Sequence, residues 1–242
     1  MFAIRSKASR ARQSARKTSF IGPPVTIRYP RGFLPSCCPL DLREQHMRIG
    51  IFGAGGMAEA LGGQWARAGH DVMVAARDRA KAARISPRVG TWEETARASD
   101  VILLALPAAS VTEVLAAAGN LAGKVLIDCT NAVGPGATLT VPDQAARIAA
   151  AAPDAHVVKA FNLCHVDVWR MTPPVFGGRP LAVPICGDKV GEVSELVRDI
   201  GCVPLVAGGL DRAPLMEATM AFMVGLWFDG HDAQSCFPPL PV

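Results

Sequence analysis

Three small residues at fixed spacing form the clearest chemical motif in this sequence. Gly53, Gly55 and Ala58 make a G-x-G-x-x-A pattern directly after the apolar run 48–52. Gly53 permits a tight turn, Gly55 lacks the Cβ that would block a pyrophosphate, and Ala58 lets a following helix pack closely on the strand. The free N–H groups at the start of that helix attract phosphates. We therefore predict a dinucleotide site formed by Gly53, Ala54, Gly55, Gly56, Met57 and Ala58.

Two cations follow the second predicted strand, where the ribose of a bound dinucleotide is selected. NAD sites usually place an Asp or Glu there, whereas this chain has Ala75, Ala76 and Arg77, with Asp78 as the nearest acid. A guanidinium binds a 2′-phosphate through charge-assisted hydrogen bonds, and Lys81 can reach the same group from the first turn of a helix. These residues favour NADP(H) over NAD(H); the alternative is that they are solvated loop charges.

The order of apolar runs and helical patterns predicts the fold. Short apolar strands alternate with helices from residue 48 onward, which is typical of βαβ units. We predict an α/β fold: a doubly wound, Rossmann-type parallel sheet at 47–162 and a small C-terminal α/β extension at 163–242, for substrate binding or oligomerisation. The predicted strands are 48–52, 71–76, 101–106, 125–129, 156–161, 181–186 and 202–206, and the predicted helices are 57–69, 91–98, 110–118, 143–152, 189–200 and 212–228.

Further site residues are expected where the later strands end, because ligands bind at the carboxyl ends of strands in open α/β sheets. Leu106, Pro107, Asn131 and Asn162 lie there. The two asparagines can orient a nicotinamide carboxamide or the acceptor; the alternative is that each bonds its own backbone in a turn. Hydride transfer between two flat rings needs orientation and exclusion of water more than acid–base help, so we assign no catalytic residue.

Histidine and cysteine add little chemistry. His165 is the titratable group near the predicted site, with Asp167 as its visible carboxylate partner, and a structural role is favoured over proton donation. No His/Cys/Asp spacing is typical of a metal site. The seven cysteines form no C-x-x-C pair, and their odd number argues against a disulfide framework. This pattern favours a reducing cytoplasm.

The net charge of +4 is unevenly distributed along the chain. Residues 1–46 contain nine Lys/Arg and two acids, which leaves a net −3 for residues 47–242. The folded part therefore indicates no nucleic-acid partner. We interpret 1–46 as a disordered basic tail or the product of an upstream start codon, in preference to a targeting segment or a basic arm.

The last predicted helix, 212–228, is strongly apolar, with Met216, Met220, Phe222 and Trp227 among its residues. Such a helix either covers the sheet or forms a homodimer interface. No apolar run reaches the roughly 20 residues that span a bilayer, so no membrane partner is expected.

Several segments resemble the NADPH-dependent reductases of the deazaflavin coenzyme F420. They are the glycine motif, Ala-Arg-Asp-Arg-Ala-Lys at 76–81, Asp-Val-Ile-Leu-Leu-Ala-Leu-Pro at 100–107, Ile-Asp-Cys-Thr-Asn at 127–131, Val-Val-Lys-Ala-Phe-Asn at 157–162, Cys-Gly-Asp at 186–188 and Gly-Gly-Leu-Asp-Arg-Ala at 208–213. The resemblance implies the fold, NADP(H) bound by Arg77 and Lys81, and hydride exchange with F420 as co-substrate. Two alternatives stay open: a reductase of imines or small carbonyls, and a non-catalytic NADP(H)-binding sensor.

Overall fold

The computed structural model describes residues 46–236. Its strands are β1 Arg48–Phe52, β2 Asp71–Ala75, β3 Arg88–Gly90, β4 Val101–Leu104, β5 Val125–Asp128, β6 His156–Lys159, β7 Val175–Phe176, β8 Arg179–Pro180, β9 Ala182–Gly187 and β10 Val203–Val206. Its α-helices are α1 Gly56–Arg67, α2 Arg79–Ile85, α3 Trp92–Ala98, α4 Val111–Ala118, α5 Gln144–Ala151, α6 Val166–Arg170, α7 Gly191–Asp199 and α8 Ala213–Phe228.

Eight of these strands form one sheet in the order β10-β9-β6-β5-β4-β1-β2-β3, and β7 pairs with β8 in a separate hairpin. All neighbours in the large sheet are parallel except β6 and β9, which are antiparallel. The chain moves outward from β1 through β2 to β3 and then returns to β4 on the other side of β1. The predicted doubly wound fold is therefore confirmed, with its topological switch point between β1 and β4.

Both faces of the sheet are covered, as expected for parallel strands joined by helices. Alternate residues of β1 and β4 enter different cores: Ile51 and Leu103 pack with α1, whereas Phe52 and Leu104 pack on the other face. The strands β9 and β10 extend the same sheet, so it continues without a break across residue 162. The boundary between the two predicted domains stays a prediction.

The sequence patterns located the long elements to within about two residues and missed the short ones. The elements absent from the predictions are α6, β3 and the β7–β8 hairpin, whereas α2 is expected only as a helix with Lys81 in its first turn, without bounds. Helix α2 buries only Ala82, and its N-terminus is capped by the Asp78 side chain, which accepts a hydrogen bond from the Lys81 N–H. Such a helix shows little apolar periodicity, because its stability comes from the cap and from β2.

None of the helices in residues 46–236 is long and apolar enough to cross a membrane. The predicted basic tail, up to residue 45, lies outside the described residues.

The glycine turn generates a matched pair of stability predictions. Gly53 has φ +115°, and a Cβ there would clash with the Ala105 carbonyl oxygen. Gly55 has φ −90°, and a Cβ there would meet no other atom within 4 Å. We expect Gly53→Ala to lower the free energy of unfolding by about 2 kcal/mol or more and Gly55→Ala by less than about 1 kcal/mol, measured by urea unfolding. Equal losses would contradict this account of the turn.

Candidate functional site

The glycine turn lies at the carboxyl edge of the sheet, between the ends of β2 and β4. The Gly53 N–H donates to the Ala75 carbonyl at 2.8 Å, and the Ala105 N–H donates to the Phe52 carbonyl at 2.9 Å. Ala58 is fully buried beneath the turn. Gly55 is the N-cap residue of α1 and supplies no side-chain cap, and the space beside its Cα holds no other atom. The free N–H groups of α1 and this open space fit a phosphate group.

Helix α6, which the sequence patterns missed, packs beside this turn. A Cβ at Gly56 would lie 3.2 Å from Val166 Cγ2 and 3.4 Å from the Arg170 guanidinium. Arg170 donates to Asp167 at 2.6 Å and to Glu59 at 3.2 Å. Hydrogen bonds to these two carboxylates raise the pKa of Arg170. The guanidinium is therefore fixed against α1 with its charge already paired.

Arg77 follows β2 and is exposed, with no hydrogen-bond or ion-pair partner within residues 46–236. The neighbouring acid is engaged elsewhere, because Asp78 Oδ1 accepts the Lys81 N–H at 3.0 Å and its Oδ2 lies 3.8 Å from Lys81 Nζ. Arg79 reaches the Val89 carbonyl at 3.4 Å. Arg77 thus presents an unpaired cation at the end of β2, as an anion site requires.

The structure joins Asn131 and Asn162, which lie 31 residues apart in the chain. Asn131 Nδ2 donates to the Asn162 carbonyl at 2.8 Å, and Asn162 Nδ2 donates to Asn131 Oδ1 at 3.1 Å. Neither amide bonds its own backbone, so the turn-forming alternative does not describe them. Asn162 is only 2% exposed, and its Oδ1 has no partner among the described residues. A buried acceptor of this kind requires a donor, which a ligand can supply.

The residues next to the asparagines are held rigidly. Phe161 adopts a positive φ of 63° and packs edge-to-face between Trp65 and Trp169.

Leu106 and Pro107 follow β4, on the other side of the site. A methyl group of Leu106 lies 3.4 Å from the position that a Cβ on Gly53 would take, and Pro107 precedes the short 3₁₀ turn Ala108–Ser110. The structure therefore brings Leu106 to the glycine turn and Asn131 to Asn162.

A buried ion network, which the sequence reasoning missed, lies beneath the asparagine pair. The Lys159 ammonium donates to Asp128 Oδ2 at 2.9 Å and to the Thr130 carbonyl at 2.6 Å, and lies 2.9 Å from Glu217 Oε1. All three charged side chains have no exposed surface. Burial alone would lower the pKa of Lys159, but Asp128 and Glu217 outweigh it and raise that pKa above 10.5.

The remaining oxygens of this network are also satisfied. Asp128 Oδ1 accepts the N–H and the hydroxyl of Thr130 at 2.8 and 2.7 Å. Glu217, from α8, accepts the N–H groups of Gln144 and Ala145 at 3.0 and 3.2 Å. These two groups open α5, whose positive dipole end offsets the second carboxylate. The network fixes the Thr130–Asn131 backbone relative to β6 and α8.

The sequence contained a signal for this network. Asp128 and Lys159 interrupt apolar strands, and Glu217 is the one charged residue of an apolar helix. Buried charges in such positions must be paired, which is a reason to expect these three to meet.

His165 is exposed, and its Nδ1 accepts the Asp167 N–H at 3.3 Å as the N-cap of α6. This local contact gives His165 a structural role.

Cys129 directly follows β5 and is buried, which raises the pKa of its thiol to about 12. Within the described part of the chain, no three His, Cys, Asp or Glu side chains cluster as a metal site would require.

Residues 48–132 match the family model described as NADP oxidoreductase, coenzyme F420-dependent. The chain is also similar to two curated metalloreductases. It is 30% identical over 194 residues to STEAP3 of Rattus norvegicus, covering 77% of this chain and 39% of that protein. It is 26% identical over 217 residues to human STEAP2, covering 86% and 42%. The chain thus spans about two-fifths of the length of these relatives.

Solved structures share the fold. A provisionally named F420-dependent NADP-reductase from Arthrobacter sp. FB24 is 24% identical with a TM-score of 0.67, covering 76% of this chain and 96% of that one. A reductive aminase from Aspergillus terreus, in complex with NADPH and ethyl levulinate, is 23% identical with a TM-score of 0.62, covering 76% and 63%. An imine reductase from Pseudomonas sp. is 19% identical with a TM-score of 0.60, covering 79% and 67%.

Breaking the ion network should be costly. Lys159→Met leaves two buried carboxylates without a cation, and we expect the free energy of unfolding at neutral pH to fall by about 3–5 kcal/mol. Lys189→Met, which removes an exposed lysine 3.8 Å from Glu192, is the matched control and should change it by less than about 1 kcal/mol. Urea unfolding of both variants measures the difference.

The pH dependence provides a second check on the same network. Because folding raises the pKa of Lys159 above 10.5, its stabilising contribution is complete at neutral pH and is lost as pH rises through the folded-state value. Wild type should therefore lose more stability than Lys159→Met between neutral and strongly alkaline pH. Parallel pH profiles would contradict the pairing.

Proposed function

We propose that this chain, whose residues 48–132 match the model of the coenzyme F420-dependent NADP oxidoreductases, is an NADP(H)-dependent oxidoreductase that exchanges hydride with a deazaflavin coenzyme. The observation that carries the NADP(H) part of the proposal is Arg77, an exposed and unpaired cation at the end of β2, whereas the deazaflavin part rests on the family match. It stands where a dinucleotide places the 2′ position of its ribose.

The residues at the end of β2 favour a ribose 2′-phosphate, as in NADP(H), over the free ribose hydroxyls of NAD(H). An NAD site needs a carboxylate that is free to accept ribose hydroxyls, but Asp78 already caps α2. Arg77 can bind a 2′-phosphate with paired, charge-assisted hydrogen bonds, and Lys81 adds a second positive charge from the first turn of α2. We assign the 2′-phosphate to these two residues.

The pyrophosphate is assigned to the glycine turn. The N–H groups at the start of α1 and the open space at Gly55 supply donors without steric hindrance, and Ala54, Gly56 and Met57 complete the turn. Because Gly53 is fixed between β2 and β4, the turn is formed before the ligand arrives.

The nicotinamide is assigned to the edge between Leu106 and the asparagine pair. Bound NADP(H) supplies the hydride there. Asn162 Oδ1 is a buried acceptor without a partner among residues 46–236, and a carboxamide N–H would satisfy it. Leu106 and Pro107 contribute apolar surface that excludes water, and the Lys159 network holds Asn131 in position. Orientation by these residues is sufficient for transfer between two stacked rings.

We also propose that the protein works in a reducing compartment, the cytoplasm. The five cysteines of the described residues are all free, including Cys129, Cys186 and Cys202 within the core. Unpaired thiols of this number are typical of proteins that are not exposed to oxidising conditions.

The 2′-phosphate assignment predicts a selective loss of affinity. We expect Arg77→Ala to raise the dissociation constant for NADPH by about tenfold or more, because a charge-assisted contact is lost, and to leave that for NADH unchanged. Arg84→Ala, in the last turn of α2, is the control and should affect neither. Isothermal titration measures all four values. An unchanged NADPH affinity in Arg77→Ala would refute the assignment.

Acceptor specificity is tested by turnover of the full chain. NADPH is offered with coenzyme F420, FAD, a ferric chelate or a cyclic imine, and its oxidation is followed by absorbance. We expect rapid oxidation with F420 and only slow oxidation with the others. Rapid turnover of the imine would favour the imine reductase alternative, and NADPH binding without turnover of any acceptor would favour the sensor.

A further inference from the structure

Helix α8 presents apolar side chains to solvent as well as to the core. Between residues 213 and 228 its one charged residue is Glu217, which is buried and paired with Lys159. Met216 and Ala221 pack inward, whereas Leu215 and Phe222 are more than half exposed, Phe222 at 56%. A helix that is apolar on all sides is typical of one covered on all sides.

One face of the helix carries a stripe of solvent-facing residues. Leu215, Thr219 and Phe222, which are exposed, and Leu226, which is half-buried, follow each other at intervals of three and four residues, so they share a face. We call these four residues the α8 stripe. Its helix has 16 residues, or about 24 Å, which is long enough for a helix-to-helix contact.

Opposite charges stand at the two ends of the α8 stripe. Arg212 precedes the helix and Asp229 follows it, seven residues beyond Phe222. Both are exposed, and neither side chain has a hydrogen-bond or ion-pair partner in the part of the chain that the structure describes. The adjacent Asp211 carboxylate lies near the Gly209 backbone instead. Such a surface is complementary to the same surface on a second copy that is rotated by 180°, because each cation then meets an anion.

A small apolar cavity adjoins the N-terminal end of the stripe. It has a volume of about 140 Å³ and is lined by Leu163, Pro184, Cys186, Leu215, Met216 and Thr219, with Arg212 at its edge. An apolar cavity of about 150 Å³ accommodates a benzene ring. The last turn of α8 carries exposed rings of this kind, Trp227 and Phe228, the latter 83% exposed.

We propose that the α8 stripe is the contact surface of a symmetric homodimer in which the two α8 helices pack antiparallel, with the two-fold axis between Thr219 and Phe222. In this arrangement Leu215 faces the end of the other helix, and Arg212 pairs with the partner's Asp229. The last turn of the partner's helix, which carries the partner's Trp227 beside the stripe, covers the cavity. Two-fold symmetry forms each of these contacts twice.

The interface would also adjoin the proposed NADP(H) site. Leu163 lines the cavity and directly follows Asn162 in the chain. In addition, Glu217 of α8 is paired with Lys159. A partner packed on α8 therefore contacts the segment that carries the asparagine pair.

The first test compares an apolar substitution on α8 with one on the open edge strand. Sedimentation equilibrium of the full chain should show a dimer, and Phe222→Ser should raise its dissociation constant by about tenfold or more. Leu205→Ser removes a side chain of similar exposure, 48%, from β10 and should leave the constant unchanged. A monomeric wild type, or dissociation by Leu205→Ser but not by Phe222→Ser, would overturn the proposal.

A charge exchange tests the antiparallel arrangement. Arg212→Asp and Asp229→Arg should each weaken the dimer through like-charge contacts, and the double variant should restore it, because the exchanged charges meet again across the two-fold axis. Failure of the double variant to restore association, with both single variants weakened, would overturn the antiparallel pairing.

Discussion

The placement of one buried ammonium group constrains the whole carboxyl edge of this protein. Lys159 lies at the end of β6 with no exposed surface, and its three partners are Asp128 and the Thr130 carbonyl, from the end of β5, and Glu217, from α8. An isolated charge in this environment would be too costly, so Asp128 and Glu217 must stay in place. That requirement fixes the end of β5, the start of α5 and the second turn of α8 relative to one another. A buried ion pair of this kind contributes geometry more than net stability.

Around this fixed network the edge divides into filled and open parts. The Ala105 backbone, just after β4, encloses Gly53, and Phe161 packs between two tryptophans, so these positions are filled. Other positions are open. Gly55 borders empty space, Arg77 is an unpaired cation, and Asn162 Oδ1 is an acceptor without a partner among the described residues. Unsatisfied groups on a rigid frame are what a preformed ligand site requires.

Sequence patterns located this site because its parts are local. The glycine motif follows one strand, Arg77 follows the next, and the asparagines end two others, so the parallel topology alone brings them to one edge. The patterns failed where partners are distant or elements are short. Glu217 meets Lys159 across 58 residues of chain, and α6 has five residues whose packing on α1 decides its formation. Neither feature has a periodicity that a sequence window can detect.

NADP(H) should bind along the carboxyl edge at the switch point between β1 and β4. Amide hydrogen exchange of the full chain with and without NADPH, read peptide by peptide, tests this binding site. We expect added protection in peptides covering Gly53–Ala58, Arg77–Lys81, Leu106–Pro107, Asn131 and Asn162, with little change at 119–124 on the opposite edge. Protection confined to that opposite edge, or none at saturating NADPH, would contradict it.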